Sequence, residues 1–314
     1  MAFRAYVASF VIVMTACAAE VPAGDPSNDV AMDPVASVQQ SMQVESCGDP
    51  VAHRIALTTG VELAYWEQGN EHGDVVIFVP GYTDSHHSFD RILPRFPRTY
   101  HVLALDMRGH GDSGKPACCY TQPDFAADIA AFMDAKAIGH ASFVGHSMGS
   151  FIVQQVALDY PKRVERIVLI GSAPTVSGNQ GVIDLMSAVD TLEDPIDPSF
   201  VRDFQASTFY RPIPASFLDT AVEDSLKVPA SVWKQALSGL LQEDHSSRLP
   251  GLEVPTLILN GDQDTLFSTE LATQLHTLIR QSKLVIYPMT GHAPHVEVPV
   301  QATRDIEKFL HLRR

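Results

Sequence analysis

Gly145-His146-Ser147-Met148-Gly149, set between the apolar run 141–144 and the helix-like run 151–158, decides how the rest of the chain is read. The residues before it include aromatic and β-branched side chains, as a buried strand requires. Those after it carry helical spacing and stop at Pro161. A strand that becomes a helix with no intervening loop forces strained dihedrals and close backbone approach, so glycines must flank the tip. The side chain at the tip then stands above the end of the sheet, and here it is the hydroxyl of Ser147.

Outward from that turn, β-type runs fall at 54–57, 61–66, 75–79, 102–105, 142–144, 167–170, 256–259 and 284–287. The first two predict an antiparallel hairpin about Thr59-Gly60. The others are separated by helical stretches such as 124–137 and 269–280, and this alternation predicts a mainly parallel eight-stranded sheet flanked by helices. One interval breaks the alternation. Between Ile170 and Thr256 no buried strand is visible, yet helical periodicity runs through 183–192, 200–209, 216–226 and 231–241. A structureless loop of that length inside a folded domain is improbable. Residues 174–250 are therefore expected to form a helical cap over the carboxyl ends of the strands, inserted into a core made of 51–173 and 251–314. Phe204, Phe209, Tyr210, Phe217 and Trp233 are expected in the core of that cap or in the lining of a pocket beneath it.

The order of elements, the Gly-x-Ser-x-Gly turn and the loop Asp106-Met107-Arg108-Gly109-His110-Gly111-Asp112-Ser113 resemble the α/β-hydrolase superfamily across nearly all of 51–314. The resemblance implies that Ser147 is a nucleophile whose partners follow in the order acid, then histidine. A serine hydroxyl is a weak nucleophile at neutral pH. It needs an imidazole to take its proton and a carboxylate to hold that imidazole in the right tautomer. The turn Gly261-Asp262-Gln263-Asp264 resembles the family's Gly-x-x-Asp and selects Asp264, with Asp262 a turn residue. The other position where this fold places the acid reads Gly171-Ser172-Ala173 and has no carboxylate. His292 follows Gly291 after the last strand and precedes Glu297 and Pro299, which resembles the family's histidine loop; it is expected to be the base. His295, about one turn on, is expected to face solvent or the start of a helix. The acyl oxygen that gains charge needs preorganised N–H donors. By resemblance these are the amides of Met148 and Tyr82, the latter in Pro80-Gly81-Tyr82. In the Asp106–Ser113 loop, Arg108 and Asp112 are expected to pair and hold the turn.

Together these imply a serine hydrolase that cleaves a small-molecule carboxylic ester or lactone through an acyl-enzyme, without cofactor. Thioesterase, carbon–carbon hydrolase and perhydrolase chemistry, and catalytically silent capture of a small ligand, share the same features. Epoxide hydrolases and haloalkane dehalogenases place Asp at the elbow, and Ser147 argues against both. His86, His87, His110 and His146 lack the spacing of a zinc site, and no dinucleotide or phosphate loop is present. A formal net charge of −15 over 314 residues, with no basic run, excludes a nucleic-acid partner and favours neutral or cationic ligands.

The first 17 residues carry Arg4 as their sole charge, and the apolar stretch ends in Met14-Thr15-Ala16-Cys17. That segment reads as a signal peptide. Its end resembles a bacterial lipobox, which implies an exported protein with lipid on Cys17, held at the cell envelope and by preference the outer membrane; plain secretion with cleavage near Ala16 to Ala19 is the alternative. Residues 18–50 hold Glu20, Asp25, Asp29, Asp33, Glu45 and Asp49 with no Lys or Arg, and read as a disordered acidic tether. Beyond Cys17, the thiols are Cys47, Cys118 and Cys119. A bridge from Cys47 to one of the adjacent pair, or a bridge within that pair, both fit the sequence.

Overall fold

The computed structural model describes residues 51–311, so the readings on the signal peptide, Cys17, the tether and Cys47 lie outside the described residues. The strands are β1 (Val51–Ala56), β2 (Glu62–Gly69), β3 (Val75–Val79), β4 (His101–Leu105), β5 (Ala141–His146), β6 (Val164–Ile170), β7 (Thr256–Gly261) and β8 (Ser282–Tyr287). They form one eight-stranded sheet in the order β1-β2-β4-β3-β5-β6-β7-β8. β1 pairs antiparallel with β2, and β2 with β4; every later pairing is parallel.

The order reverses at β3, which lies between β4 and β5 with Val79 opposite Gly145. Connections from such a pair run off to opposite faces of the sheet and leave a crevice above its carboxyl end. Alternate side chains of the central strands feed two apolar layers. Ile77, Val79 and Phe143 face one, while Val76, Phe78 and Val144 face the other. The first layer is closed by α1 (Gln122–Ala135) and α2 (Met148–Asp159). Between β6 and β7 lie α3 (Gln180–Val189), α4 (Pro198–Ser207), α5 (Ala215–Leu226) and α6 (Ala230–Leu241); then come α7 (Thr269–Leu278), α8 (Pro294–Glu297) and α9 (Pro299–Leu310). Ile306 and Phe309 of α9 pack into the second layer. Trp233 on α6 is fully buried, with Tyr82 and Phe204 edge-on to it at 5.3 Å each.

One expectation is corrected here, and one open alternative is resolved. Arg108 does not pair with Asp112. It makes a bidentate bond to Asp128 of α1, Nε to Oδ2 and a terminal nitrogen to Oδ1, both at 2.6 Å, and Thr59 donates to the same carboxylate at 2.5 Å. Asp112 instead projects outward and lies 3.3 Å from Lys227. The turn places its backbone N–H, not its carboxylate, inward, where it donates to Asp106 Oδ2 at 2.8 Å. The disulfide joins Cys118 to Cys119, the adjacent pair, in the exposed loop before α1.

Removing one partner of a buried ion pair strands the other charge in a low-dielectric site. Asp128 is fully buried and Arg108 nearly so, so Asp128→Ala is expected to cost about 3–5 kcal/mol of unfolding free energy. Chemical denaturation checks this, and a loss below about 1 kcal/mol, the range of surface pairs, would contradict it.

Candidate active site

Ser147 is the N-cap of α2 and holds φ 51°, ψ −123°, a conformation that L residues seldom adopt. It is held there from outside: its N–H donates to Ile170 O at 2.9 Å, and β5 and α2 are locked on either side. A Cβ on Gly149 would overlap the carbonyls of Val79 and Pro80, and one on Gly145 would overlap the Gly149 carbonyl. Glycine is therefore required at both positions by close backbone approach. The turn is pressed against the end of β3, and the loop that follows β3 is brought beside it.

That loop supplies Tyr82. A Cβ on Gly81 would lie 3.3 Å from Ser147 Cβ, so the Gly81-Tyr82 backbone runs alongside the serine. Met148 is the first residue of α2, where backbone N–H groups have no helical acceptor. Among the described residues the Tyr82 N–H likewise donates to no backbone carbonyl. Two amides near Ser147 thus have no backbone acceptor among the described residues. The side chain of Tyr82 is anchored elsewhere: its hydroxyl donates to Trp233 O of α6 at 2.7 Å, and burial pushes the phenol well above its ordinary pKa, so it stays neutral. Thr83, fully buried at φ 64°, shares a 3.0 Å hydrogen bond with Ser225 of α5. A β-branched residue in this region is costly and persists only when its surroundings over-determine it. Gln205 of α4 adds bonds to Asp84 at 3.0 Å and to Ser225 at 2.8 Å. The helices above the sheet therefore hold the loop that carries the Tyr82 amide.

His292 follows β8 and α8 follows it. Its Nδ1 lies 2.8 Å from Asp264 Oδ2. The other carboxylate oxygen accepts the N–H groups of Leu266 and Phe267, each at 2.9 Å, so Asp264 is oriented by backbone and its remaining lone pairs face the imidazole. The His292 N–H donates to Thr208 O at 3.0 Å, and His292 Nε2 is buried with no protein partner. Glu297 fixes the same loop by accepting the N–H groups of Gly291, Tyr210 and Arg211 at 2.8 to 3.1 Å. Ser147 and His292 line one cavity, walled by Leu185 of α3, Phe204 of α4, Phe217 of α5, Leu240 of α6 and Phe267. A serine and an imidazole with a bare Nε2, backed by a carboxylate, thus share one cavity.

Three features escape the sequence. His295 does not face solvent. It is fully buried among Phe89 and His146, and burial holds its imidazole far below the ordinary histidine pKa, hence neutral. The short helix α8 turns it inward against Phe89 and His146. Gly171, noted in sequence only for lacking a neighbouring acid, has φ 55°; a Cβ there would meet His292 O at 2.7 Å and its Nδ1 at 2.9 Å. Asp84 reaches the cavity beside His146, with a 3.7 Å separation of Oδ2 and Nδ1. No local pattern marks either contact, because each joins loops far apart in the chain.

A mostly parallel sheet between two apolar layers, with a serine at a strand-to-helix turn above its switch point, defines a class of α/β enzymes. Residues 74–299 match the family model described as alpha/beta hydrolase fold, and the chain belongs to that family. It is 25% identical over 290 residues to lipase 3 of Moraxella sp. strain TA144, covering 88% of this chain and 90% of the lipase. It is 26% identical over 275 residues to the bifunctional esterase/perhydrolase of Acinetobacter calcoaceticus, covering 80% and 96%. The solved esterase of Exiguobacterium antarcticum shares the fold, with a TM-score of 0.76 over 83% of this chain and all of that one, at 23% identity.

Gly171→Ala is expected to displace the imidazole and lower kcat/KM roughly 10- to 100-fold, the scale of a misplacement near 1 Å. Stability should fall by only about 1–2 kcal/mol, the cost of a positive φ at a residue with a Cβ. Steady-state kinetics beside thermal melting separates the two effects; kcat/KM within about threefold of wild type would show that the imidazole does not depend on this contact.

Proposed function

We propose that this protein is a serine hydrolase that cleaves a carboxylic ester or lactone through an acyl-enzyme, with Ser147, His292 and Asp264 as its triad. The observation that carries the reading is the His292 imidazole, tied at Nδ1 to Asp264 and bare at Nε2 in the same cavity as Ser147. The relatives named as a lipase and an esterase support ester substrates.

In this mechanism His292 Nε2 takes the proton as Ser147 Oγ attacks the acyl carbon. The carbonyl oxygen becomes an oxyanion and accepts from the Tyr82 and Met148 amides. Asp264, oriented by the Leu266 and Phe267 amides, stabilises the imidazolium and stays ionised. His292 then returns the proton to the departing alkoxide, leaving the acyl group on Ser147. Water repeats the sequence: its proton goes to Nε2, its oxygen bonds to the acyl carbon, the ester bond to Ser147 breaks, and Nε2 returns the proton to Ser147 Oγ as the acid leaves. The apolar wall of Leu185, Phe204, Phe217, Leu240 and Phe267 suits an apolar acyl portion.

Ser147→Ala and His292→Ala are each expected to lower hydrolysis of a short nitrophenyl ester by about four to six orders of magnitude, because such a triad acts as a unit. Labelling by a fluorophosphonate should vanish in Ser147→Ala. Retention of more than about a tenth of the activity in either variant would defeat the assignment.

We also propose export with lipid on Cys17, on the strength of the apolar segment ending in Met-Thr-Ala-Cys and the acidic stretch after it. Fractionation of full-length protein and Cys17→Ser, with the mass of the mature N-terminus, checks this. The wild type should partition with membranes and carry acyl mass, and the variant should not; an unmodified Cys17 would leave plain secretion.

A further inference from the structure

Beside His292 the cavity holds polar groups that do not satisfy one another. His146 is only 5% exposed, and its Nε2–H donates to His292 O at 3.3 Å. Burial lowers its pKa, so the ring is neutral, and the hydrogen on Nε2 leaves Nδ1 as a bare acceptor. Nδ1 has no hydrogen-bond partner among the described residues and faces Asp84 Oδ2 at 3.7 Å. Two acceptors thus converge across a gap. Such an arrangement is repulsive until a donor enters it.

The surroundings supply no donor with charge. Among the described residues lining the cavity there is no Lys or Arg. Asp84 Oδ1 receives one neutral amide, from Gln205. The second carboxylate at the wall, Asp224, is already met by Ser85 at 2.5 Å and by Lys227 at 2.8 Å. His295 is buried and neutral. The His87 imidazole, whose pKa is raised chiefly by its bond to Asp90, is engaged by that carboxylate at 2.8 Å. The net charge of −15 adds a long-range field of the same sign.

We propose that Asp84 and His146 Nδ1 form a subsite for a cationic hydrogen-bond donor, an ammonium group on the alcohol portion of the ester, and that esters with an anionic alcohol portion are rejected. This rests on the hydrolase reading above. The alcohol portion is assigned because His292 must face the leaving oxygen, and the His146 ring lies beside that of His292, with centroids 5.0 Å apart. A single Cβ on Gly81 would touch both Asp84 Oδ2, at 2.8 Å, and Ser147 Cβ, at 3.3 Å, so the carboxylate lies one residue's width from the nucleophile. A carboxylate so near a developing oxyanion opposes catalysis unless a cation neutralises it. An ammonium-bearing substrate brings that cation.

The test compares butyrate esters at neutral pH: dimethylaminoethyl butyrate, its neutral isostere isoamyl butyrate, choline butyrate and the butyryl ester of hydroxypropanoate. For the wild type, kcat/KM for the dimethylaminoethyl ester should exceed that for the isoamyl ester by about tenfold or more, mainly through KM. The hydroxypropanoate ester should fall at least about tenfold below the isoamyl ester, the scale of one charge interaction in a partly buried site. The choline ester, cationic without an N–H, should lie between. In Asp84→Asn the dimethylaminoethyl to isoamyl ratio should drop about tenfold, and this change of ratio cancels any difference in intrinsic reactivity of the two esters. A ratio at or below one in the wild type, or the same ratio in Asp84→Asn, overturns the subsite while isoamyl turnover sensitive to Ser147→Ala still supports the hydrolase reading. If no ester is turned over, the hydrolase reading fails, and calorimetry of dimethylaminoethanol against isoamyl alcohol on the wild type and Asp84→Asn decides the subsite alone: an Asp84-dependent preference supports it, and no preference overturns it.

Discussion

The contact between Gly149 and the carbonyls that end β3 is the constraint on which the site depends. β5 must become α2 within one residue, and the turn fits only if the start of α2 presses against the neighbouring strand. That pressure sets Ser147 at positive φ and brings the Gly81-Tyr82 backbone alongside it. It also explains why the site lies at β3 and β5. They are the strands on either side of the reversal in sheet order, where connecting chain leaves to both faces and nothing from the sheet fills the space above.

A second dependence runs from the helices between β6 and β7 down to the site. Trp233 and Ser225 receive the Tyr82 ring and the strained Thr83, while Thr208 accepts the His292 N–H. Tyr210 and Arg211 donate to Glu297, which also accepts from Gly291. Both loops flanking the serine are therefore braced by the same helices that wall the cavity. Substrate shape and loop geometry are coupled, because an altered helix position changes the pocket and the donors together.

Asp106 illustrates how the loops are tied from below. It is 1% exposed at the end of β4 and accepts from His86 N, His86 Nδ1 and Asp112 N, each at 2.8 Å. Burial, the largest single influence, raises its pKa, but the side chain and N–H of His86 and the N–H of Asp112 together outweigh it and lower the pKa, so the carboxylate stays charged. This joins the loop after β3 to the loop after β4 without any group that enters the cavity.

The strands and their flanking helices were legible in the sequence because alternation and helical spacing are local: the runs expected at 75–79 and 256–259 lie at β3, Val75–Val79, and in β7, Thr256–Gly261. The serine turn was legible for the same reason, since its glycines and its apolar flanks are contiguous. Contacts between distant loops were not. Arg108 had an acidic neighbour four residues on, yet the partner that meets its fork is Asp128 on the next helix. His295 follows the histidine loop, yet α8 places it buried against the His146 ring. The facing of Asp84 and His146, and the closeness of Gly171 to His292, exist only once β3, β5, β6 and β8 are laid side by side. By itself the sequence determined which segments are strands and helices and where a serine had to stand exposed, because steric and hydrophobic periodicity act over a few residues. Which side chains converge on that serine was decided by tertiary structure, because that convergence is a property of strand order, and strand order is set by burial across the whole sheet.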